Sequence, residues 1–180
     1  MNQVISDPVT MEQKRRRVCL ATAAVVLVAV LIVFVIGLLR EPAPKTFTTA
    51  GMQITLTDAF RESKPKNFTM CYGAKDMAVY TLKEAFSLSE GLQDNTLQEY
   101  TARLLAANEL SSDIEIVEEN GLCYFERSFT NSKGVNYHYF CFSFKASDAF
   151  WSIQFAVHEE DTEALRDTVF TYANSVTFLQ

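Results

Sequence analysis

The longest hydrophobic feature of the chain is an unbroken apolar run of 22 residues, 18–39, which directly follows the four basic residues 14–17. A helix of this length reaches about 33 Å, enough to cross a hydrocarbon core of about 30 Å. A buried core helix would carry a polar stripe, and a cleavable signal peptide would have a shorter apolar region ending in a small-residue cleavage site. Here Pro42 and Pro44 follow the run instead. The pattern therefore predicts a transmembrane signal anchor at 18–39.

The charge on either side of this run predicts its orientation. Residues 1–40 carry 5 basic and 2 acidic side chains (+3), and residues 41–180 carry 11 and 20 (−9), which together give the net charge of −6. Because basic residues next to a span stay on the cytoplasmic side, residues 1–17 form a basic cytoplasmic tail. We expect a single-pass plasma-membrane protein, of a bacterium, whose C-terminal part is extracytoplasmic. An acidic outer part is unsuited to nucleic acid, so the membrane and an envelope protein are the expected partners.

Beyond the anchor, the chain has the composition of one domain. Residues 40–46 contain two prolines and predict a short extended linker. Residues 47–180 number enough for one hydrophobic core and too few for two ordinary domains. We therefore predict one extracytoplasmic globular domain over 47–180.

Within this domain, stretches of alternating or continuous apolar residues predict strands. They are Met52–Thr57, a hairpin of Phe68–Tyr72 and Met77–Leu82, Ile114–Val117, a hairpin of Leu122–Thr130 and Val135–Phe144, Phe150–Val157, and a closing strand at Ser175–Leu179. Runs of consecutive strands favour an antiparallel sheet.

Two helices are predicted between these strands. Thr96 and Glu99 have the spacing of a capping box, and an apolar stripe continues to about Glu109. Asp161 is a candidate N-cap for a second helix near the C-terminus. The predicted fold class is α+β: an antiparallel β-sheet covered by two main helices, in an α/β/α sandwich.

The order and texture of these elements resemble those of PsbP-like domains. The resemblance rests on Gly51–Leu56 followed by Asp58–Phe60, and on the aromatic strand Phe150–Phe155, which leads through a helix to Ser175–Phe178. The chain resembles the membrane-anchored bacterial proteins that carry such a domain. The resemblance implies an α/β/α sandwich and a non-enzymatic binding module. No family motif with a known role is matched, so no functional residue follows from it.

Catalytic patterns are sparse. The two histidines are His138, within a strand beside tyrosines, and His158, at the end of another. The sequence from His158 to Asp161 begins like a zinc-protease motif but has no second histidine four residues on. A strand end followed by an acidic helix start explains it better. We expect no catalytic residue, no cofactor and no metal.

Three cysteines follow the anchor: Cys71, Cys123 and Cys141. No pair has the spacing of zinc ligands. If the turn at 131–134 closes a hairpin, Cys123 and Cys141 share a face as opposite or diagonal neighbours, so a disulfide between them is one candidate. Buried free thiols are the other interpretation, and pairing of Cys71 with either of them also stays open.

Aromatic residues occupy both faces of the strands from 122 to 157. One face makes core, and the other must be covered by a helix or exposed for binding. On the exposed part we expect Arg127, Tyr137 and Tyr139 to line a groove for a peptide or apolar ligand. The predicted function is a tethered, non-catalytic binding or scaffolding module for an envelope protein or a small ligand. The alternative is a hydrolase or thiol enzyme on the same scaffold.

Overall fold

The computed structural model describes residues 41–110 and 113–179. The predicted tail at 1–17 and the predicted anchor at 18–39 lie outside these residues. Within the two described ranges, no helix combines the length and apolar character that a membrane crossing requires.

The described chain folds into ten strands and two α-helices. In order they are β1 (Pro44–Thr49), β2 (Met52–Thr57), β3 (Arg61–Ser63), β4 (Met70–Gly73), β5 (Met77–Ala85), α1 (Leu97–Ala107), β6 (Val117–Glu119), β7 (Leu122–Thr130), β8 (Asn136–Lys145), β9 (Ala149–His158), α2 (Thr162–Asn174) and β10 (Thr177–Phe178). Short 3-10 turns precede both helices, at Leu92–Asp94 and at Glu159–Asp161.

Seven strands form the main sheet in the order β3-β4-β5-β9-β8-β7-β6, and every neighbouring pair is antiparallel. A second sheet has the order β1-β2-β10. The α+β class with an antiparallel sheet and two helices, predicted from the sequence, is confirmed.

One face of the main sheet makes the larger core. Its strands contribute fully buried aromatic side chains such as Trp151, Phe142 and Phe155. The second sheet and α2 cover them with buried residues that include Ile54 and Val169. This face is therefore closed by a mixed layer of strands and one helix.

The other face is covered by α1 at one end. Thr96 caps this helix: its hydroxyl accepts from the Glu99 N–H at 3.1 Å, and the Glu99 carboxylate accepts from the Thr96 N–H at 2.8 Å. Satisfying these first-turn donors fixes where the helix begins. Tyr100 then stacks on Phe150 with ring centroids 4.2 Å apart, and Leu105 packs against Phe125. The predicted capping box is confirmed.

Several predicted boundaries are wrong. The segment 40–46 is not all linker, because β1 begins at Pro44 and pairs there with Thr57. A proline is tolerated at the first residue of an edge strand. Just before β1, Ala43 makes two hydrogen bonds with Asp58. The Asp58 N–H donates to the Ala43 carbonyl at 2.8 Å, and the Ala43 N–H donates to the Asp58 carboxylate at 3.0 Å. The strand predicted at Ile114–Val117 starts only at Val117. Ile114 instead packs beside Leu105 and Phe125.

Candidate functional site: an aromatic groove on the uncovered sheet face

The face under α1 is only partly covered, because the helix lies over one end of the strands. Tyr100 and Leu105 reach Phe150, Phe125 and Cys141. The opposite strand ends, around Tyr137, lie beyond these contacts. The sheet itself is therefore exposed there.

Strand register places the side chains of this exposed region in two rows. In one row Ala78 pairs with Ala156, which pairs with Tyr139, and Tyr139 pairs with Arg127. In the next row His158 pairs with Tyr137, and Tyr137 with Phe129. Residues two apart on a strand point to the same side, so both rows face the same way.

These rows form a groove of about 350 Å³. Its lining includes Ala78 and Tyr80 from β5, Ala156 and His158 from β9, Tyr137 and Tyr139 from β8, Phe129 from β7, and the turn residues Ala74, Lys75, Asp76 and Asn131. Ala78 and Ala156 are directly paired small residues between larger aromatic ones. The depression exists because these two positions fill little space.

The aromatic walls are held by contacts with one another. Tyr137 and His158 stack with centroids 5.0 Å apart, and Phe129 meets Tyr139 edge-on at 6.2 Å. Arg127 places its guanidinium 4.8 Å from the centre of the Tyr139 ring. Phe129 is 45% exposed, an unusual degree for so apolar a side chain. The walls are thus ordered and open to a ligand.

The polar atoms of the groove include several hydrogen-bond donors, among them tyrosine hydroxyls, which can also accept. Burial raises the pKa of Tyr80 and of Tyr139, so both hydroxyls keep their protons. Asn131 uses its side-chain oxygen to accept the Lys133 and Val135 N–H groups at 2.9 and 3.0 Å. Its amide nitrogen is the group left to face a ligand.

The three residues predicted as a ligand surface are brought together. Tyr137 and Tyr139 line the groove, and Arg127 lies beside it on the Tyr139 ring. Sequence reasoning missed Tyr80 and the two floor alanines, because they join the site only through the pairing of β5 with β9. The alternation along β5 is the signal that could have placed Ala78 and Tyr80 on one face.

None of the three cysteines lines this groove, although Cys71 pairs with Tyr80 across the strands and Cys141 belongs to the cluster that Tyr139 packs against. Cys71, Cys123 and Cys141 are all free and buried. The predicted disulfide between Cys123 and Cys141 is not formed: register pairs Cys123 with Ser143 and Cys141 with Phe125, so the two cysteines are diagonal neighbours. Diagonal Cβ atoms lie roughly 7 Å apart, whereas a disulfide needs about 4 Å.

Burial also makes these thiols poor nucleophiles. It raises the pKa of Cys71 and of Cys123, and raises that of Cys141 to about 12. The thiolate, which is the reactive form, is disfavoured in all three.

His138 lies on the opposite face of the sheet from the groove. Its Nε2 is 2.8 Å from the Glu126 carboxylate, which also accepts two hydrogen bonds from Arg166, at 2.7 and 2.8 Å. The other ring nitrogen of His138 is 3.6 Å from Glu159 and has no hydrogen-bond partner among the described residues. Burial acts to raise the pKa of Glu126, but the bonds from Arg166 and His138 outweigh it and hold that pKa below its usual value. This arrangement ties α2 to the sheet.

His158 ends β9, and the acidic residues after it begin a 3-10 turn ahead of α2. The strand-end interpretation of this segment is confirmed. Asp161 does sit at the N-cap position, but its side chain makes no capping hydrogen bond. Among residues 41–110 and 113–179, no group of three histidine, cysteine or acidic side chains is arranged to hold a metal ion.

Comparison with known proteins gives a likeness of fold. No family model matches the chain, and no curated protein matches it. The solution structure of cyanobacterial PsbP (CyanoP) from Synechocystis sp. PCC 6803 is similar at a TM-score of 0.53 and 11% identity, covering 78% of this chain and 95% of that one. LpqN of Mycobacterium tuberculosis, described as involved in cell envelope biogenesis, is similar at a TM-score of 0.43 and 13% identity, covering 78% and 91%. A structure from Bacteroides thetaiotaomicron VPI-5482 has a TM-score of 0.47 at 10% identity, over 78% of this chain and 50% of that one. The predicted resemblance is confirmed at the level of fold: the domain is PsbP-like.

Proposed function

We propose that this protein is a membrane-tethered, extracytoplasmic binding module that holds an envelope protein or a small ligand in the aromatic groove. The observation that carries the proposal is the uncovered aromatic part of the main sheet, where Tyr137 and Tyr139 stand over a floor of Ala78 and Ala156. The tether rests on the apolar run at 18–39 and its basic flank.

An exposed apolar groove is unfavourable in water, so its presence on a surface indicates a binding site. Three large apolar side chains of the described residues are exposed, Leu88, Phe129 and Leu179, whereas every aromatic residue of β9 is buried. Of these three, Phe129 lines the groove, beside the half-buried Tyr137 and Tyr139. Concave sites with aromatic walls and a few convergent polar groups are where proteins bind ligands.

The non-catalytic assignment is supported by the state of the reactive groups. The cysteine thiols are buried with raised pKa values, so they are poorly suited to nucleophilic attack. The carboxylate beside His138 is already bound by Arg166, which favours a structural ion pair over a general base. His158, the histidine in the groove, stacks on Tyr137.

The test is site-specific photocrosslinking of the full chain in native membranes. A benzophenone amino acid at position 137 reports on the groove, and the same group at Glu163, 86% exposed on the far side of the domain, is the matched control. We expect a crosslinked species with the probe at 137 and none with the probe at 163. The crosslink at 137 should disappear when Ala156→Trp fills the floor of the groove, in a variant whose melting temperature is unchanged. Equal labelling at both positions, or none at 137, would overturn the groove as the binding site.

A further inference from the structure

We propose that the ligand of this groove is a proline-rich polypeptide segment in the polyproline II conformation; this rests on the proposed function and names the class of ligand. The juxtaposition that carries it is a trough with several hydrogen-bond donors between aromatic walls, formed by Tyr80 on one side and Tyr137 and Tyr139 on the other.

The dimensions fit a short stretch of such a helix. Along β5 the groove extends from Asp76 to Tyr80, which is about 13 Å at 3.3 Å per residue. Across the four strands from β5 to β7 it spans about 14 Å. Polyproline II advances 3.1 Å per residue, so roughly four residues fill the groove in either direction.

The hydrogen-bonding character of the groove matches a chain of acceptors. Proline residues have no backbone N–H, and in polyproline II the carbonyl oxygens have no internal partner. The groove presents the hydroxyls of Tyr80, Tyr137 and Tyr139 and the Asn131 amide nitrogen, since the Asn131 oxygen is already occupied by the turn. Donors on the protein can therefore meet acceptors on the ligand, while the acceptor-only side chain of the lining, Asp76, is 61% exposed to water.

The apolar surface matches as well. Proline rings are rigid and pack flat against aromatic faces, and a preformed polyproline II helix loses little conformational entropy on binding. The paired alanines leave room between the walls for a ring to enter.

Charge complementarity points to a neutral segment with neutral or basic flanks. The two ionic residues of the lining, Lys75 and Asp76, approach each other to 4.0 Å and cancel. Residues 41–180 as a whole carry an excess of nine acidic side chains, 20 against 11 basic. An acidic peptide would be repelled, and a proline-rich stretch without acidic residues would not.

The experiment uses the full chain in nanodiscs of zwitterionic lipid and a fluorescein-labelled decaproline peptide, followed by fluorescence anisotropy. A glycine–serine peptide of equal length is the ligand control. We expect saturable binding of decaproline only, weakened about tenfold by Tyr137→Ala. Tyr80→Phe and Tyr139→Phe, which remove only hydroxyls, should weaken it by a smaller factor. Tyr124→Phe, the same change on the opposite face, should leave it unchanged.

The outcomes separate this proposal from the one on which it rests. Equal binding of both peptides, or loss of decaproline binding in Tyr124→Phe, would overturn the polyproline assignment. Binding of a chito-oligosaccharide in place of decaproline, with the Tyr137→Ala effect preserved, would overturn it too, although the groove would remain the binding site. Failure of the photocrosslink at position 137 would instead remove the proposed function itself.

Discussion

Arg166 on α2 binds both carboxylate oxygens of Glu126 on β7, with N–O distances of 2.7 and 2.8 Å, while His138 contacts the same carboxylate from β8. One acidic side chain thus joins a helix to two strands of the main sheet. Such a bidentate, partly buried pair is among the stronger ionic contacts a protein makes.

Loss of this pair should make the domain less stable in a pH-dependent way. The pKa of Glu126 is lowered in the folded state, so its contribution is complete above its usual value of about 4.5 and is lost as pH falls through the folded value. We expect Glu126→Gln to lower the free energy of unfolding near neutral pH by about 1–2 kcal/mol. Below pH 4.5, the free energy of unfolding of the variant should fall less steeply with decreasing pH than that of the parent. Urea unfolding at a series of pH values measures both. If the free energy of unfolding fell equally steeply with pH in the variant and the parent, Glu126 would not be the group responsible.

The contact of α1 with the sheet depends on a buried hydroxyl pair. Thr101 Oγ1 lies 2.7 Å from Ser143 Oγ and 2.7 Å from the Leu97 carbonyl oxygen, and both side chains are almost fully buried. We expect Thr101→Val to cost about 1–3 kcal/mol because it leaves the Ser143 hydroxyl unpaired. The double variant Thr101→Val, Ser143→Ala should recover part of that loss. Additive effects in the double-mutant cycle would show that the pair contributes nothing.

The cysteines should be unreactive in the folded protein. Cys71, Cys123 and Cys141 are 8%, 1% and 2% exposed, and burial raises the pKa of each. In a Cys19→Ser background, we expect less than one thiol to react promptly with Ellman's reagent under native conditions and all three after unfolding. Mass spectrometry of alkylated protein should find no link between Cys123 and Cys141. A thiol that reacts promptly in the folded protein would support the alternative of a thiol enzyme.

The orientation predicted from the sequence can be tested by itself. With alkaline phosphatase fused after Gln180, the predicted orientation leads us to expect enzyme activity, because phosphatase matures only outside the cytoplasm. Replacing residues 14–17 with glutamine should lower that activity by weakening the positive-inside signal. A charge-neutral shuffle elsewhere in the tail is the control. Activity that is independent of these four residues would count against the topology.

The sequence predicted the strands well where aromatic and other apolar residues run almost continuously. β7 was predicted with the bounds it has, and β8 and β9 within about one residue, because long runs of aromatic and β-branched residues leave little choice of structure. β1 was missed because Pro42 and Pro44 dominated the local pattern, although an edge strand tolerates a proline at its start.

The candidate groove was predictable only in part. Tyr137 and Tyr139 were singled out because both faces of β8 are aromatic, and one face had to be covered or exposed. The floor could not be predicted, since Ala78 and Ala156 are almost eighty residues apart and meet only through the β5–β9 register. Two alanines carry no signal of their own in a sequence. They form the floor of a groove only because strand pairing places them between larger side chains.

Asn131 has a double role that restricts how this protein can diversify. Its side-chain oxygen closes the β7–β8 turn, and the same side chain lines the groove. A homologue or a directed-evolution library could alter Phe129 or Tyr137 without opening a turn, at the cost of their ring contacts with Tyr139 and His158. Changing position 131 would loosen the hairpin together with the ligand contact, so new specificities are expected to arise around this residue and not at it.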